Sequence, residues 1–182
     1  MRVSDLDPER LDADQQRVYD AIAAGPRATV PAPLRIWLHS PHLAEHAQSL
    51  GAFCRYGTTL PPHLSELAIL VMGAHWRANY EWQVHAPIAE ASGVAPEIVE
   101  AIRAGVRPKI ADLKAAAVYE FSQELLSRRA VSEATMALAK RELGERGVVE
   151  LVGILGYYTL ISMTIVAFEV PPIPGDVPFP KD

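Results

Sequence analysis

The sequence predicts an all-α fold, and two observations carry that prediction. No stretch of the 182 residues shows the sustained alternation of apolar and polar side chains, bounded by hairpin turns, that marks a half-buried β-strand. Apolar residues instead recur every three or four positions, in segments bounded by glycine, proline or serine. With 49% apolar and 21% charged residues, the composition predicts one domain over 1–182 with a sizeable core.

Residues 1–34 are predicted to form one helix and a proline-rich loop. Apolar residues recur at helical spacing from Leu11 to Ile22, and Gly25 and Pro26 end that helix. The segment that continues to Leu34 contains two further prolines, so we expect an ordered loop that lies against the body of the protein.

Residues 35–170 are predicted to form the helical core. Proline and serine mark helix starts because they suit the first turn, and glycine marks helix ends because it adopts the left-handed conformation easily. The predicted starts are Pro41, Pro62, Pro96 and Ser132, a further helix runs from Ala111 to Ser127, and the predicted ends include Gly93, Gly105 and Gly144.

The last predicted helix and the tail are rich in apolar residues. Leu151 to Phe168 carries no charge over 18 residues, which reaches the lower limit for a membrane-spanning helix. Glycines, tyrosines and hydroxyl side chains interrupt it, so we expect a buried or subunit-interface helix and no membrane partner. The proline-rich arm over 171–182 is expected to lie extended on its own surface or a neighbouring subunit's. Together the helix and the arm favour a homo-oligomer.

Charge and cysteine content exclude several classes of protein. The formal charge of −5 is spread along the chain without a basic block, so we expect small organic ligands or protein partners and no nucleic-acid partner. Cys54 is the only cysteine, which excludes an internal disulfide, a cysteine-rich zinc site and a CxxC redox pair. The N-terminus lacks the layout of a signal peptide, so a cytoplasmic location is predicted.

The segment 66–93 is the candidate site because it places three proton-handling side chains among apolar residues. Glu81 and His85 stand four residues apart, so on a helix they share one face and can exchange a proton directly or through one water. Glu66 precedes them by one helix and a turn, and its burial would be costly without a partner such as His85 or an arginine. The alternative for Glu81 and His85 is a helix-surface ion pair that contributes a few tenths of a kcal/mol.

Other polar and aromatic residues are candidate substrate contacts. His75 is either such a contact or a polar residue at a helix end. Tyr157 and Tyr158 lie in an otherwise apolar helix, where a buried hydroxyl needs a partner, and one of them either faces a cavity or packs in the core. Of the two tyrosines, Tyr158 is the predicted substrate contact, and Trp82 and Arg77 complete the set of candidate contacts.

The string His42-Leu-Ala-Glu45-His46 matches H-x-x-E-H, a zinc-protease pattern in which two histidines bind the metal and the glutamate acts as base. His42 falls in the first turn of an amphipathic helix and no third ligand can be assigned, so a chance match is the preferred interpretation. No metal and no other cofactor is predicted. Cys54, beside Phe53, is interpreted as a small core residue rather than a reactive thiol.

Four groups of residues carry a family resemblance. They are Gly25-Pro-Arg27, LHSPHLAEHAQSLGAFCRYGTTLPPHLSELAIL at 38–70, Tyr80-Glu81-Trp82 with His85 and Gly93, and Leu155-Gly-Tyr-Tyr158 with Phe168-Glu-Val-Pro-Pro. Over most of its length the chain resembles the carboxymuconolactone decarboxylase and AhpD-like superfamily of small helical oligomers. The resemblance implies an AhpD-like helical bundle and, because similar proteins are commonly dimers assembled into trimers of dimers, a dimer, trimer or hexamer.

The resemblance also points to one branch of that superfamily. The peroxidase branch carries a glutamate, a CxxC pair and a histidine four residues beyond the second cysteine. Here Glu66 and His85 match the glutamate and the histidine, but Ala78 and Glu81 occupy the cysteine positions. Thiol peroxidase chemistry needs a nucleophilic and a resolving thiol, so the chain is similar instead to the decarboxylase branch that lacks CxxC.

Two departures from that branch concern the substrate. Similar proteins often carry an asparagine near Val166 and an arginine at the position of His63. The arginine that would bind a substrate carboxylate is therefore not assigned to a single residue. The candidates are Arg27, Arg55 and Arg77.

Residue chemistry and resemblance together predict a cofactor-independent acid–base enzyme, a decarboxylase or isomerase of a small unsaturated lactone or carbonyl compound. His85 is the predicted acid or base in contact with substrate, and Glu81 and Glu66 are predicted to orient and tune it. One alternative is a non-catalytic or regulatory ligand-binding protein on the same fold. The other is an alkylhydroperoxidase-like redox protein that uses Cys54.

Overall fold

A computed structural model of the chain describes residues 1–180, and within that range all regular structure is helical. The predicted all-α class is therefore confirmed. A 3₁₀ turn at Pro8–Arg10 precedes the α-helices. These are α1 (Ala13–Ala23), α2 (Ala32–Trp37), α3 (Pro41–Tyr56), α4 (Pro62–His75), α5 (Asn79–Ser92), α6 (Pro96–Arg103), α7 (Leu113–Arg128) and α8 (Glu133–Phe168).

Local chemistry explains the helix starts. The Asp12 side chain accepts a hydrogen bond from the Gln15 amide, and the Gln15 side chain accepts one from the Asp12 amide, which caps α1. The prediction of a loop up to Leu34 was wrong at its end, because helix α2 already begins at Ala32. Pro33 is tolerated there since a first-turn N–H has no intrahelical partner to lose.

Helix α4 forms the centre of the protein. All ten residues from Leu64 to Gly73 are buried, and α4 packs against α5, α6, α7 and α8. A helix that is buried on every side has no solvated face to keep polar, which explains its nearly continuous apolar sequence. Glu66 is the acidic exception within it. The buried apolar side chains of the other helices join those of α4 in one cluster.

Helix α8 is 36 residues long and is interrupted at Gly144, whose φ of 70° and ψ of 168° are not helical. The helix end predicted near Gly144 coincides with this break, which separates two helical segments within α8. Among the described residues α8 is the helix that is long and apolar enough to cross a membrane, and 50% of its most apolar window is buried inside the protein. The core helix of a globular protein meets the same length and composition criteria.

The C-terminal arm is held against α5 by two side-chain amides. Gln83 accepts a hydrogen bond from the Ile173 amide at 2.8 Å and donates to the Ile173 carbonyl at 2.9 Å. Asn79 binds the backbone of Phe179 in the same two-point manner, at 2.7 and 3.0 Å. The arm thus lies on its own protomer as far as it is described; its last residues, 181 and 182, lie outside the described range.

Helices α3 and α8 meet at a position where only glycine fits. A Cβ atom at Gly51 would overlap the phenol ring of Tyr157. With the ring in this place, the Tyr157 hydroxyl accepts a hydrogen bond from Arg27 at 3.4 Å. Gly51 therefore sets the position of a tyrosine that lines the cavity described below.

The substitution Gly51→Ala should destabilise the protein by roughly 1–3 kcal/mol, because the added methyl group must displace the Tyr157 ring from a packed site. Urea unfolding measures this change. The control is Gly153→Ala on α8, where a new Cβ would meet Cys54 Sγ at an ordinary 3.9 Å and helix propensity improves. Equal stability of the two variants would contradict the assigned packing.

The substitution Phe179→Ala should release the arm from α5. The Phe179 ring is 5% exposed and meets the Trp82 ring edge to face at 5.2 Å, and loss of a buried phenyl group costs about 3 kcal/mol. Hydrogen exchange of the amides in 173–180, followed by mass spectrometry, should accelerate strongly. Val177→Ala, which alters an exposed side chain of the same arm, should leave the exchange unchanged. An arm that stays protected without the Phe179 ring would show that this contact does not hold it.

Candidate active site

Three ionisable side chains meet in the interior between α4 and α5. His85 Nδ1 lies 2.6 Å from Glu66 Oε2, and His85 Nε2 lies 3.0 Å from Glu81 Oε1. Glu66 comes from α4, and the other two residues lie one turn apart on α5. Both ring nitrogens of the imidazole are therefore engaged by carboxyl groups. The structure brings together all three residues that the sequence proposed for proton transfer.

These side chains are almost completely shielded from water. Glu66 and Glu81 are each 5% exposed and His85 is 3% exposed. Burial, the largest single effect, acts to lower the pKa of His85, but the charge of Glu81 and the hydrogen bonds of both glutamates outweigh it and raise this pKa to about 9. His85 therefore carries both ring protons near neutral pH and donates to both carboxyl groups.

A cavity of about 310 Å³ opens beside this cluster. Glu81 and His85 line it, whereas Glu66 lies behind His85, away from the cavity. The wall is built from four separate parts of the chain: the segment before and within α2, the end of α3, helix α5 and the middle of α8. Its other lining residues are Arg27, Thr29, Pro31, Pro33, Leu34, Arg55, Tyr56, Tyr80, Val84, Tyr157, Tyr158 and Ile161.

Two arginines give the cavity wall positive charge. Arg27 donates weak hydrogen bonds to the Tyr157 hydroxyl at 3.4 Å and to the Gln48 carbonyl at 3.5 Å. The Arg55 guanidinium lies 5.3 Å from the centroid of the Tyr56 ring. Within residues 1–180 neither arginine has a carboxylate within 4 Å, in contrast to most of the arginines on the surface. Both guanidinium groups thus remain available to an anionic ligand.

Tyr157 and Tyr158 both reach the cavity, although they are adjacent in α8. The Tyr158 ring meets the His85 ring edge to face at 5.3 Å and the Tyr157 ring at 5.2 Å. Burial raises the pKa of both phenols above its usual value, and the charge of Glu81 adds to the effect. Both hydroxyls therefore stay protonated and can donate a hydrogen bond.

Three of the proposed substrate contacts do not line this cavity. His75 and Arg77 line a separate surface pocket formed with α6 and α7, and Arg77 donates to the Pro180 carbonyl at 2.8 Å. Trp82 is buried against Phe179, on a side of α5 away from the cavity. Helical geometry explains the position of Trp82, because a residue next to Glu81 on α5 is rotated by about 100° around the helix axis.

The zinc-protease string lies on the outer side of α3. His42 and His46 are exposed, and Glu45 is bound by Arg17 through two hydrogen bonds of 2.6 and 3.1 Å. Within residues 1–180 no group of three or more His, Cys, Asp or Glu side chains is arranged to hold a metal ion. Cys54 is fully buried, and its burial raises the pKa of its thiol to about 11.

Tyr80, Tyr56 and the proline segment around Pro33 are cavity residues that sequence reasoning missed. For Tyr80 a signal was present, since it precedes Glu81 directly and stands in the motif that carries the family resemblance. For the other two, only the packing of distant segments brings them to the site.

The arrangement of the helices around this buried cluster is that of an all-α, AhpD-like fold, as expected. The chain is similar to the solved structure of an uncharacterized peroxidase-related protein from Silicibacter sp. TM1040, with a TM-score of 0.75 and 14% sequence identity over 96% of this chain and 91% of that chain. At this identity the likeness shows the fold alone. No family model and no curated protein matches the sequence.

The stability of the protein should decrease as the pH rises towards 9. The pKa of His85 is about 9 in the folded protein and near 6.5 when unfolded, so its stabilising contribution is complete below about pH 6.5 and is lost as the pH passes 9. Urea unfolding of the wild type between pH 6.5 and 9.5 should show this loss. His85→Gln should remove most of it, while His75→Gln, which leaves the buried cluster intact, should retain it. An identical pH dependence in His85→Gln would contradict the assigned protonation of His85.

Proposed function

We propose that this protein is a cofactor-independent acid–base enzyme, a decarboxylase or isomerase of a small unsaturated lactone or carbonyl compound, similar to carboxymuconolactone decarboxylase. The observation that carries the proposal is the Glu66–His85–Glu81 cluster, buried beside a cavity of about 310 Å³. A cavity of this size suits a small organic molecule. Groups shielded from water and linked by short hydrogen bonds are suited to proton transfer near neutral pH.

Glu81 is the proposed group that exchanges a proton with the substrate carbon. His85 also lines the cavity, but both of its ring nitrogens are bound by carboxyl groups. Glu81 lines the cavity and bonds His85 through one of its two oxygens. In a decarboxylation the C–C bond to the carboxylate breaks, CO₂ leaves, and the electron pair forms a dienolate. The proton shared between His85 and Glu81 then passes to carbon, and solvent restores it. In an isomerisation Glu81 removes and returns the proton. Glu66 is a positioning residue that holds His85.

The charged wall of the cavity suits a substrate that bears a carboxylate. Arg27 and Arg55 are the two lining residues that offer guanidinium groups without a carboxylate partner within 4 Å. The Tyr158 hydroxyl, kept protonated by burial, is the proposed donor to the oxygen on which negative charge develops. A hydrogen bond that strengthens as this charge appears lowers the barrier more than it tightens substrate binding.

The redox alternative has less support. A peroxidatic cysteine must be an accessible thiolate, but Cys54 is fully buried, its thiol pKa is raised to about 11, and it does not line the cavity. Glu81 stands where the resembled peroxidases carry a cysteine, and a carboxylate cannot form the mixed disulfide or sulfenic acid of that reaction.

Glu81→Gln and His85→Ala should each reduce turnover by at least about 10²-fold, because each removes a group from the proton path. The assay is a panel of unsaturated lactones and enones, with and without a carboxylate, followed by CO₂ release and by loss of conjugated absorbance. Circular dichroism checks that both variants remain folded. His75→Ala, outside the cavity, and Cys54→Ala are the matched controls and should retain turnover.

The same panel, with a peroxide-consumption assay added, separates the acid–base enzyme from the ligand-binding and redox alternatives. Full activity in both Glu81→Gln and His85→Ala would refute the proposed mechanism. Tight binding of a panel compound without turnover by the wild type would favour a ligand-binding protein. Loss of peroxide consumption in Cys54→Ala alone would favour the redox protein.

A further inference from the structure

Helix α8 has a second apolar face that points away from the core. Val149, Val152, Met163 and Val166 are large apolar residues on this face and are between 46% and 72% exposed. Together with Gly156 and Thr159 they follow a spacing of three, four, three, four and three residues. This is the spacing that keeps a stripe of side chains facing a partner helix along a coiled-coil seam.

The stripe is symmetric in the size of its side chains. Two large residues at each end enclose Gly156 and Thr159, and a Cβ atom at Gly156 would have no neighbour within 4 Å. If α8 pairs with an antiparallel copy of itself around the midpoint between Gly156 and Thr159, then each large residue meets a large one. Val149 faces the partner's Val166, and Val152 faces the partner's Met163. Small residues at the crossing point let the two helix axes approach closely.

The outer face of α3 extends this surface. Leu43, Leu50, Phe53 and Tyr56 are between 43% and 49% exposed. Leu50 and Phe53 share with Val149 and Gly153 a surface groove of about 520 Å³, so the two faces are continuous. Helices α3 and α8 also pack against each other within the protomer.

We infer that a second copy of this chain covers this surface, with α8 against α8 in antiparallel orientation and α3 at its side. Eight large apolar side chains, each at least 43% exposed, contribute to the surface. Monomers rarely expose a patch beyond about 300–600 Å², and a standard interface buries about 800 Å² on each partner. The symmetric stripe favours this occupant, because a two-fold interface must be complementary to itself.

The pairing also affects the cavity. Tyr56 belongs to the exposed face of α3 and lines the cavity beside Arg55. A partner on this face covers Tyr56 and restricts the mouth of the cavity on that side. The pairing itself rests on the surface of α3 and α8 and is independent of the reaction proposed for His85.

Cysteine crosslinking tests the orientation and register. Val149→Cys and Val166→Cys are made as separate variants, mixed under conditions that allow subunit exchange, and oxidised. Only the mixture should give a disulfide-linked dimer on a non-reducing gel. In the antiparallel pair each Val149 faces the partner's Val166, so two copies of Val149 lie about 25 Å apart along the helix axis, at about 1.5 Å per residue, which is too far for a disulfide. The wild type, whose Cys54 is buried, should give none. Crosslinking of Val149→Cys alone would overturn the antiparallel register.

Light scattering coupled to gel filtration tests the interface itself. The wild type should elute with the mass of a dimer or a larger even-numbered assembly, and Val152→Glu should at least halve that mass while its circular dichroism stays unchanged. The control Leu113→Glu adds the same charge at a side chain that is 57% exposed on α7 and should keep the wild-type mass. A monomeric wild type would overturn the proposal. So would wild-type binding to phosphatidylcholine vesicles that Val152→Glu abolishes, which would assign the face to a lipid surface.

Discussion

The contact between His85 and the two glutamates imposes the strictest demand on this structure. Removal of a charged group from water is expensive, and the cost is recovered only when its partners satisfy both its charge and its hydrogen bonds. Here Glu66 and Glu81 do so from two helices, at 2.6 and 3.0 Å. The relative position of α4 and α5 is therefore fixed to within the tolerance of a hydrogen bond. Loss of one member leaves the others buried without a full set of partners.

The rest of the fold supports that arrangement. Helix α4 is surrounded by other helices, so Glu66 has little freedom to move away from His85. Helix α5 carries its acidic and imidazole groups on one side and, on another, the Asn79 and Gln83 amides that hold the C-terminal arm. The arm and the active cluster thus share one helix. Across the cavity, Gly51 allows Tyr157 to pass over α3 and to approach Arg27.

Local sequence chemistry was enough to predict the helices other than the short α2, and the pairing of Glu81 with His85, since caps and a four-residue spacing act within one helix. The approach of Glu66 to His85 depends on the turn between α4 and α5, in which Arg77 adopts a left-handed φ of 50°. No sequence signal predicts that conformation. The cavity was harder still to predict from the sequence. Its walls come from segments more than a hundred residues apart in sequence, such as those of Arg27 and Tyr157, and tertiary packing alone brings them together.

The double engagement of His85 has a consequence for its chemical reactivity. Acylating reagents and transition metals both need an unshared electron pair on an imidazole nitrogen, and here each nitrogen carries a proton that is directed at a carboxyl group. The most functionally suggestive histidine is thus expected to be the least reactive of the six in the folded chain, and labelling it would report that the core has opened.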